Sequence, residues 1–592
     1  MSAGATSAGA GLAPAPAAGP GQAGQAGQAG QAGQAGQAGQ AANVALELRQ
    51  RAAERPFQRA LVVPRGRDGD GRRRYAHVTY AALQARVDRI AHALRQEGVA
   101  PGEPVLVLIP PGIDFVAVNF ALLLLGAPPV LIDPGNGVRG LLDGIAQAAP
   151  RTFLGVAKAH LALRLIGGRA ARSIQRRICV GRRPTGGLLE GRALEALLRR
   201  APGDPFPAAA PGPDEAAAIL FTSGSTGPPK GVVYTHRTFQ AQVRLLRETW
   251  GLGPDDVDLP GLPVFALFSA ALGATVAFPD MDAARPAALD PRAWSEVCLD
   301  QGATYSFGSP AIWGPVAAWC RAEGVRLPSL RHVLIAGAPV PPRVHQDLRE
   351  VLDASARTHT PYGATESLPV ATATGRELEP LFARTEQGAG TCVGRPVPGL
   401  EVRVLPITAE AIPAWREGLA LPTGEVGELA VAGPVVTERY HAREEATARS
   451  KVREGARVWH RMGDLGYLDA EGRIWFCGRK SHRVTTARGP LDTDRVEPIF
   501  ARHPGVRRVA LVGVGPEGAE TPVLVVEPRP EARPRSTAAR AAFAAELRAL
   551  GAAWPHTAPI EKVLFRRALP VDARHNAKIR RELLAVWASA RV

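Results

Sequence analysis

Apolar residues follow two different spacings along the chain, and the two spacings alternate. Short apolar runs predict strands, whereas apolar residues three or four positions apart predict helices. The predicted strands are 60–63, 104–109, 216–221, 232–234, 333–335 and 509–514, and the predicted helices include 44–53, 113–124, 238–249 and 538–550. Strands that alternate with helices predict an α/β fold with layered packing of helices and sheets.

The longest apolar run, residues 115–132, is interrupted by Asn119, Gly126 and two prolines. A membrane-spanning helix needs about 20 predominantly apolar residues in succession. This run therefore predicts a buried helix followed by a strand. Residues 1–42 instead contain repeated QAG triplets and lack large apolar residues after Leu12. Such a segment cannot bury enough surface to offset the entropy of ordering it, and we predict that it is disordered.

The most informative stretch is residues 219–236, with the sequence ILFTSGSTGPPKGVVYTH. A loop of Thr, Ser, Gly and Pro connects two apolar runs and carries Lys230. Loops of this composition expose backbone N–H groups and hydroxyls, which can surround phosphate oxygens, and the lysine adds a cation. The spacing differs from the P-loop, and a strand rather than a helix follows. Taken alone, the loop is equally compatible with a surface hairpin.

Composition adds little to this picture except through lysine. The net charge is +16, but only six of the 71 basic residues are lysine. A GC-rich genome explains this arginine excess better than a nucleic-acid surface, because no aromatic residues are interleaved with the basic clusters. Where arginine is the default cation, a remaining lysine suggests a need for a compact ammonium group, as at Lys230 and Lys578.

The five cysteines lie far apart and lack metal-ligand spacing. We expect reduced, mostly buried cysteines in a cytoplasmic protein, because disulfides belong to oxidising compartments. The N-terminus lacks a basic segment followed by an apolar core, so no signal peptide is expected.

The 219–236 stretch resembles the phosphate loop of the adenylate-forming superfamily, which includes acyl-CoA synthetases, peptide-synthetase adenylation domains and luciferases. Further motifs of that superfamily follow in order: AGAP at 336–339, YGATE at 362–366, GDLGY at 463–467, GR at 478–479 and NAK at 576–578. The resemblance implies a large N-terminal multi-sheet α/β domain, residues 43–480, and a small mobile C-terminal α+β lid, residues 481–592. Ser481 occupies the position of the superfamily's pivot.

The resemblance also implies ATP and Mg²⁺ and assigns roles to particular residues. Glu366, by its carboxylate, and Thr226 would hold Mg²⁺ against the triphosphate. Asp464, expected in a glycine-flanked turn, would accept hydrogen bonds from the ribose hydroxyls. The catalytic residues are then Lys578, Glu366, Thr226 and Lys230, and the nucleotide-binding residues are Thr222, Ser223, Gly224, Ser225, Thr226, Gly227, Lys230, Gly337, Ala338, Pro339, Tyr362, Gly363, Thr365, Asp464 and Arg479.

Several stretches are similar to the olefin β-lactone synthetases of bacterial long-chain olefin biosynthesis. They are YGATESLP, PDMD, GTCVGRPVPG, RHNAKIRREL and PVFALF, in which Ala266 holds the place of a histidine that helps gate the acyl pocket in thioester-forming relatives. In that group a long-chain 2-alkyl-3-hydroxy fatty acid is adenylated, and its own hydroxyl then displaces AMP to give a β-lactone. The base for that hydroxyl is unassigned, with His236 and His482 as candidates by position.

Two other interpretations stay open. One is a long-chain fatty acyl-CoA ligase. The other is a basic nucleic-acid- or membrane-binding protein on an inactive adenylation fold. For the synthetase, the expected partners are the hydroxy fatty acid and, in a complex, the thiolase-like, reductase and hydrolase-like enzymes of the pathway. We expect no nucleic acid and no transmembrane segment, and peripheral membrane contact is left open.

Overall fold

The computed structural model describes residues 43–181, 191–221, 229–572 and 578–592. The predicted disorder of residues 1–42 lies outside the described residues. The helices are α1 (Ala45–Glu54), α2 (Tyr80–Gln96), α3 (Ile113–Leu125), α4 (Gly137–Ala148), α5 (Ala157–Ile166), α6 (Leu194–Leu198), α7 (His236–Trp250), α8 (Phe265–Leu272), α9 (Pro291–Gln301), α10 (Pro310–Ala322), α11 (Pro342–Val351), α12 (Gly375–Leu378), α13 (Phe382–Glu386), α14 (Glu444–Ser450), α15 (Thr493–Ala501), α16 (Thr537–Ala552) and α17 (Arg581–Ser589).

The strands alternate with these helices over the first half of the chain, as the sequence predicts. They are β1 (Arg59–Arg67), β2 (Arg73–Thr79), β3 (Val105–Leu108), β4 (Pro129–Ile132), β5 (Thr152–Val156), β6 (Arg176–Val180), β7 (Arg192–Ala193), β8 (Ala216–Phe221), β9 (Gly231–Thr235), β10 (Val257–Asp258), β11 (Thr275–Ala277), β12 (Tyr305–Gly308), β13 (His332–Ile335), β14 (Arg357–His359), β15 (Tyr362–Ala364), β16 (Ser367–Thr372), β17 (Thr391–Cys392), β18 (Arg395–Pro396), β19 (Glu401–Leu405), β20 (Gly427–Ala432), β21 (Lys451–Glu454), β22 (Arg457–Leu468), β23 (Ile474–Arg479), β24 (Val484–Thr486), β25 (Gly489–Leu491), β26 (Val506–Val514), β27 (Thr521–Pro528) and β28 (Lys562–Phe565).

Two seven-stranded sheets form the frame of the N-terminal part. One has the order β7-β6-β5-β3-β4-β8-β9 and the other β14-β13-β12-β10-β11-β1-β2. Pairing is parallel throughout both sheets except at β9 and β2, which pair antiparallel with β8 and β1. Parallel strands need crossover connections, and helices supply most of them here, which explains the alternation seen in the sequence.

Helix α3 shows why the long apolar run does not need a membrane. Every residue from Phe115 to Leu125 is buried, in a hydrophobic cluster that also contains residues of both large sheets. A helix that is apolar on all sides must be buried on all sides. Gly126 ends it in the left-handed conformation (φ +77°), and β4 follows, so the predicted helix and strand are confirmed. Among the described residues, no helix is long and apolar enough to cross a membrane.

The remaining N-terminal strands form a six-stranded antiparallel sheet, with the path β17-β23-β22-β20-β19 and β21 paired to β22, and a small sheet of β15, β16 and β18. From Val484 onward the chain forms separate sheets, β24-β25 and β26-β27-β28. Two hydrophobic clusters contain only residues of this last part. The boundary between residues 480 and 481 is still a prediction, and these separate cores are consistent with it.

Two local expectations were wrong. The polar turn predicted for residues 65–74 is a β-hairpin, because β1 continues to Arg67 and β2 already begins at Arg73. Asp464 is not in a turn but within the long strand β22. In both places polar residues and glycine were taken as signs of a turn. Backbone pairing nevertheless forms a strand there, because an exposed strand face tolerates polar side chains.

Candidate active site

A single cleft of about 2740 Å³ brings together side chains that are distant in sequence. Its lining contains the described residues that were predicted to bind nucleotide or metal: Lys230, Gly337, Ala338, Pro339, Tyr362, Gly363, Thr365, Glu366, Asp464, Arg479 and Lys578. The predicted phosphate-loop residues Thr222, Ser223, Gly224, Ser225, Thr226 and Gly227 lie outside the described residues. The structure thus places the described candidates together, while the role of each remains a prediction.

The hairpin of β8 and β9 delivers both ends of the phosphate loop to this cleft. Leu220 pairs with Val232 and Phe221 with Gly231, so the chain leaves and re-enters the sheet at the same end. Lys230 stands directly before β9, and its Nζ lies 5.1 Å from the centre of the Tyr440 ring. A cation over an aromatic face is attracted by the ring quadrupole. This contact places the ammonium group of Lys230 in the cleft.

An irregularity in β22 positions Asp464. Glu428 of β20 pairs with Leu465, and Ala430 pairs with Arg461, so β22 carries more residues than β20 between these two pairs. Gly463 lies in this extra length with φ +66°, a conformation that favours glycine. Bulges of this kind re-aim side chains next to functional sites. Here the bulge directs Asp464 into the cleft.

Asp464 is buried and is surrounded by groups that favour its carboxylate form. The Tyr362 hydroxyl donates to its Oδ2 at 2.6 Å, and Arg479 Nη1 lies 3.0 Å from its Oδ1. Burial raises the pKa of Asp464, while Arg479, the Tyr362 hydroxyl and Lys578 act in the opposite direction. Although Arg479 is near, no donor among the described residues is aligned for a hydrogen bond to Oδ1. That buried oxygen can accept a hydrogen bond from a hydroxyl group entering the cleft.

Glu366 is held by a shell of aromatic hydroxyls and backbone groups. The Tyr440 hydroxyl donates to Glu366 Oε1 at 2.6 Å, and the Thr437 N–H donates to the Glu366 carbonyl oxygen at 2.9 Å. The Tyr234 hydroxyl donates to the carbonyl oxygen of Thr365 at 2.6 Å. These bonds fix the YGATE segment between β9 and the loop after β20, so the Glu366 carboxylate faces the same cleft as Lys230.

A buried lysine lies beside this carboxylate. Lys451 Nζ donates to the carbonyl oxygen of Thr437. Burial lowers the pKa of Lys451 from 10.5 to about 7, and Glu366 and Glu438 act in the opposite direction. Because the pKa is lower in the folded state, the unfolded chain binds more protons between about pH 7 and 10.5. Lys451 therefore makes the free energy of unfolding rise with pH across this window.

We expect the Lys451→Met variant to differ from the wild type in how its free energy of unfolding depends on pH. Below about pH 7 the wild type buries a charged ammonium group that the variant lacks. The free energy of unfolding of the variant minus that of the wild type should therefore fall as pH rises toward 10. The size of the fall is about 1.4 kcal/mol for each unit by which folding lowers the pKa of Lys451. Calorimetry at several pH values measures this. An unchanged difference would contradict the prediction, and exposed Lys562→Met is the control.

Lys578 lies in the part of the chain that follows β28 and still lines the cleft. Its backbone N–H donates to Asp572 Oδ1 at 2.9 Å. The residue is exposed, and its charge is close enough to favour the carboxylate form of Asp464. The structure thus presents this C-terminal lysine to a cleft that is otherwise built mostly from the N-terminal part.

The two histidines proposed as bases for the hydroxyl have different surroundings. His482 lines the cleft, and burial lowers its pKa to about 4, helped by Arg581 and Arg479. It is therefore neutral at pH 7 and has a free proton-accepting form, but the lowered pKa makes it a weaker base than an ordinary histidine. His236 is buried, its Nδ1 accepts a hydrogen bond from the Val44 N–H at 3.3 Å, and it does not line the cleft. The geometry favours His482.

Part of the cleft lining, which we call the apolar branch, is formed by apolar residues of the two large sheets and of neighbouring helices. Phe265 and Phe307 stack with ring centres 3.9 Å apart, and both line the branch. Its other apolar lining residues include Val63, Val107, Leu108, Ile109, Phe115, Leu131, Ile132, Leu141, Leu163, Phe268 and Phe278. Ala266 is fully buried in the core and does not line the cleft. Its neighbour Phe265, rather than the missing histidine at position 266, shapes this wall.

Sequence reasoning missed three residues around the site: Tyr440, Lys451 and Lys480. Lys480 Nζ lies 3.0 and 2.9 Å from the two carboxylate oxygens of Glu428, which Arg461 also contacts at 2.6 Å. This buried cluster anchors the chain immediately before Ser481. The scarcity of lysine was the available signal, because four of the six lysines line the cleft and Lys451 lies against Thr437 beside Glu366.

The β8–β9 hairpin, the clustered Glu, Asp and Lys side chains and the separate C-terminal cores fit an adenylate-forming enzyme. Residues 48–441 match the family model described as "AMP-binding enzyme", and the chain belongs to that family. Within it, the chain is 48% identical over 553 residues to the olefin beta-lactone synthetase of Xanthomonas campestris pv. campestris, covering 92% of this chain and 97% of the relative. The olefin beta-lactone synthetase of Stenotrophomonas maltophilia is also 48% identical, over 557 residues, 93% of this chain and 98% of the relative.

Solved structures agree on the fold. The amide bond synthetase McbA from Marinactinospora thermotolerans superposes with a TM-score of 0.72 and 25% identity, covering 93% of this chain and all of that one. Both parts of the resemblance predicted from the sequence, the superfamily and the subgroup, are thus confirmed.

Proposed function

We propose that this enzyme uses ATP to adenylate a long-chain 2-alkyl-3-hydroxy fatty acid and then closes the acyl-adenylate to a β-lactone, releasing AMP and pyrophosphate. One observation carries the proposal: Lys230, Glu366, Asp464 and Lys578 converge on one cleft that continues into an apolar branch. The 48% identity to olefin beta-lactone synthetases over nearly the whole chain supports the same conclusion.

In the first step, a carboxylate oxygen of the fatty acid attacks the α-phosphorus of ATP. The new P–O bond forms as the bond to pyrophosphate breaks, and negative charge builds on the phosphoryl oxygens. The Asp464 carboxylate accepts hydrogen bonds from the ribose hydroxyls, and Arg479 faces the nucleotide. Together these two contacts hold the α-phosphate in place. Lys230 and Lys578 stabilise the developing charge from fixed positions, where cations are most effective.

Magnesium fits this arrangement through Glu366. Within the described segments, no group of three or more His, Cys, Asp or Glu residues could hold a metal ion by itself. Mg²⁺ commonly binds through one or two carboxylates together with substrate phosphates and water, so a single carboxylate facing the cleft is sufficient. Bound Mg²⁺ would neutralise triphosphate charge. Tyr440 orients the Glu366 carboxylate for that contact, and Thr226 is the second proposed ligand.

In the second step, the 3-hydroxyl oxygen attacks the acyl carbonyl carbon. The ring C–O bond forms, the bond to AMP breaks, and the hydroxyl proton passes to a base, for which neutral His482 is the candidate. A nucleophile already attached to the substrate has a high effective molarity, so an external thiol is unnecessary. An alkyl chain that fills the apolar branch would displace water, which would otherwise hydrolyse the adenylate.

Product analysis tests this function. Incubation of the enzyme with ATP, Mg²⁺ and a 2-alkyl-3-hydroxy fatty acid should yield the β-lactone and AMP at equal rates with and without CoA. A thioester as the sole product would overturn the proposal in favour of the long-chain acyl-CoA ligase. If no fatty acid gave AMP or pyrophosphate, an inactive fold with a binding role would be favoured, although four intact charged residues in one cleft argue against it. Association with the other olefin-pathway enzymes is a further proposal, which co-purification tests.

Narrowing the apolar branch should shift the preference for chain length. Ala159 lines the cleft, as do Leu108 and Leu141, and all three pack against the same buried hydrophobic cluster. In Ala159→Phe, the larger side chain should displace part of an alkyl chain, at about 0.8 kcal/mol or roughly fourfold in kcat/KM per methylene group. We expect long substrates to lose more activity than short ones in competition assays. Ala170→Phe, in the same cluster but outside the cleft, should leave the ratio unchanged, and an equal loss for all lengths would contradict the prediction.

A further inference from the structure

Helix α5 forms part of the cleft wall and also presents leucines to solvent. Ala159, Ala162, Leu163 and Ile166 line the cleft, and only His160 and Leu163 of this helix are buried. Ile166 is 41% exposed although it lines the cleft, so it lies at the rim. The apolar wall of the substrate branch therefore reaches the molecular surface along this helix.

Beyond the rim, the same helix exposes further apolar side chains. Leu165 is 74% exposed and Leu161 45%. We call Leu161, Ala162, Leu165 and Ile166 the rim patch. A helix that is apolar around most of its circumference is normally buried. Here α5 is covered on one side only, and its apolar surface continues into the cavity that would receive a lipid.

Basic residues flank the rim patch. The exposed ones on or directly beside α5 are Lys158, Arg164, Arg169 and Arg172. Lys158 lies near the acidic residue Asp282. The pKa of Asp282 is lowered mainly by Arg285 and to a smaller extent by the charge of Lys158. Exposed leucines bordered by lysine and arginine are the pattern of helices that lie in the interface of an anionic bilayer.

We propose that the rim patch docks this enzyme on an anionic lipid bilayer, so that the fatty acid passes from the membrane into the cleft along α5. The partner follows from the proposed function, because the substrate is a long-chain lipid. The docking itself depends only on the patch and its charges. Leu161 and Leu165 enter the headgroup region, the arginines meet lipid phosphates, and Ile166 and Ala162 connect the bilayer to the apolar branch.

Vesicle co-sedimentation without substrate tests the docking. The full chain should bind phosphatidylcholine vesicles that contain phosphatidylglycerol, and Leu161→Gln with Leu165→Gln should lower the partition coefficient at least roughly tenfold, since each buried leucine contributes about that factor or more. Arg169→Gln with Arg172→Gln should lower it by about fivefold per charge. Phe57→Gln with Val586→Gln is the matched control, since both residues are exposed and neither lines the cleft.

Three outcomes would overturn the proposal: unchanged binding by the leucine variant, equal binding to vesicles with and without phosphatidylglycerol, or a self-association in sedimentation velocity that the leucine variant abolishes. The last result would make the patch a subunit interface. Circular dichroism checks folding, and Leu165→Gln alone is a milder second variant. Lactone formation from detergent-dispersed substrate should be equal in all variants. If no variant and no wild-type enzyme formed lactone, the proposed function would be refuted but the docking would not. If docking alone were lost, the proposed function would stand.

Discussion

Replacing Lys578 by alanine is expected to lower the rate of AMP formation by roughly a hundredfold to a thousandfold. Lys578 is presented to the cleft from the C-terminal part of the chain, close enough to Asp464 to favour its carboxylate form. In the proposed mechanism its ammonium group stabilises charge that develops on the α-phosphate only as pyrophosphate leaves. Its loss should therefore lower kcat for adenylation and leave ATP binding largely unchanged.

Pyrophosphate release and nucleotide binding measure the two effects of Lys578→Ala separately. Lys562→Ala provides the matched control, because Lys562 is also a C-terminal lysine, is exposed, and does not line the cleft. AMP formation at the wild-type rate in Lys578→Ala would refute the catalytic role. A large loss of ATP affinity with kcat retained would instead assign the lysine to nucleotide binding.

Asp464→Asn should lower kcat/KM for ATP by about a hundredfold, mainly through KM. Two charge-assisted hydrogen bonds to ribose hydroxyls would be weakened, and each is worth about 1.5–3 kcal/mol. The amide can still accept from the Tyr362 hydroxyl, so the local geometry is retained. Arg479 would lose the charge partner that raises its pKa most strongly, but its side chain is 37% exposed to the cleft and can be solvated there.

Steady-state kinetics with varied ATP tests this role of Asp464. Asp469→Asn is the matched control, since Asp469 follows β22 directly, is largely buried, and pairs with Arg473 at 2.7 Å outside the cleft. Unchanged KM for ATP in Asp464→Asn, or an equal change in both variants, would contradict ribose binding by Asp464.

Local sequence patterns predicted the elements well where one residue spacing dominates. The buried α3, the β8–β9 hairpin and α7 all lie within a few residues of their predicted bounds, because period and capping act within a single segment. Thr235, for example, caps α7 by accepting from the Thr238 N–H. The bulge at Asp464 was not predictable, because it depends on pairing with β20, more than thirty residues earlier in the chain.

Which residues surround the site was only partly visible in the sequence. Tyr440 and Lys451 carry no motif, and they reach Glu366 through packing of distant segments. His236 and His482 looked equivalent as bases until the fold buried one and placed the other in the cleft. Position 266 looked like a wall of the acyl pocket, but the direction in which α8 presents its side chains puts Phe265 there instead.

The sequence by itself determined the superfamily and the chemistry of ATP activation, because contiguous motifs encode backbone shape and functional groups together. It also named the candidate residues for that chemistry, whose individual roles are still predictions. Only the tertiary structure decided which residues line the apolar branch, that its wall reaches the surface at Ile166 of α5, and which additional side chains contact Glu366 and Asp464. These features arise from strands and helices that meet across long separations in sequence. Hydrophobic burial drives those elements together, and it depends on the whole fold rather than on any local pattern.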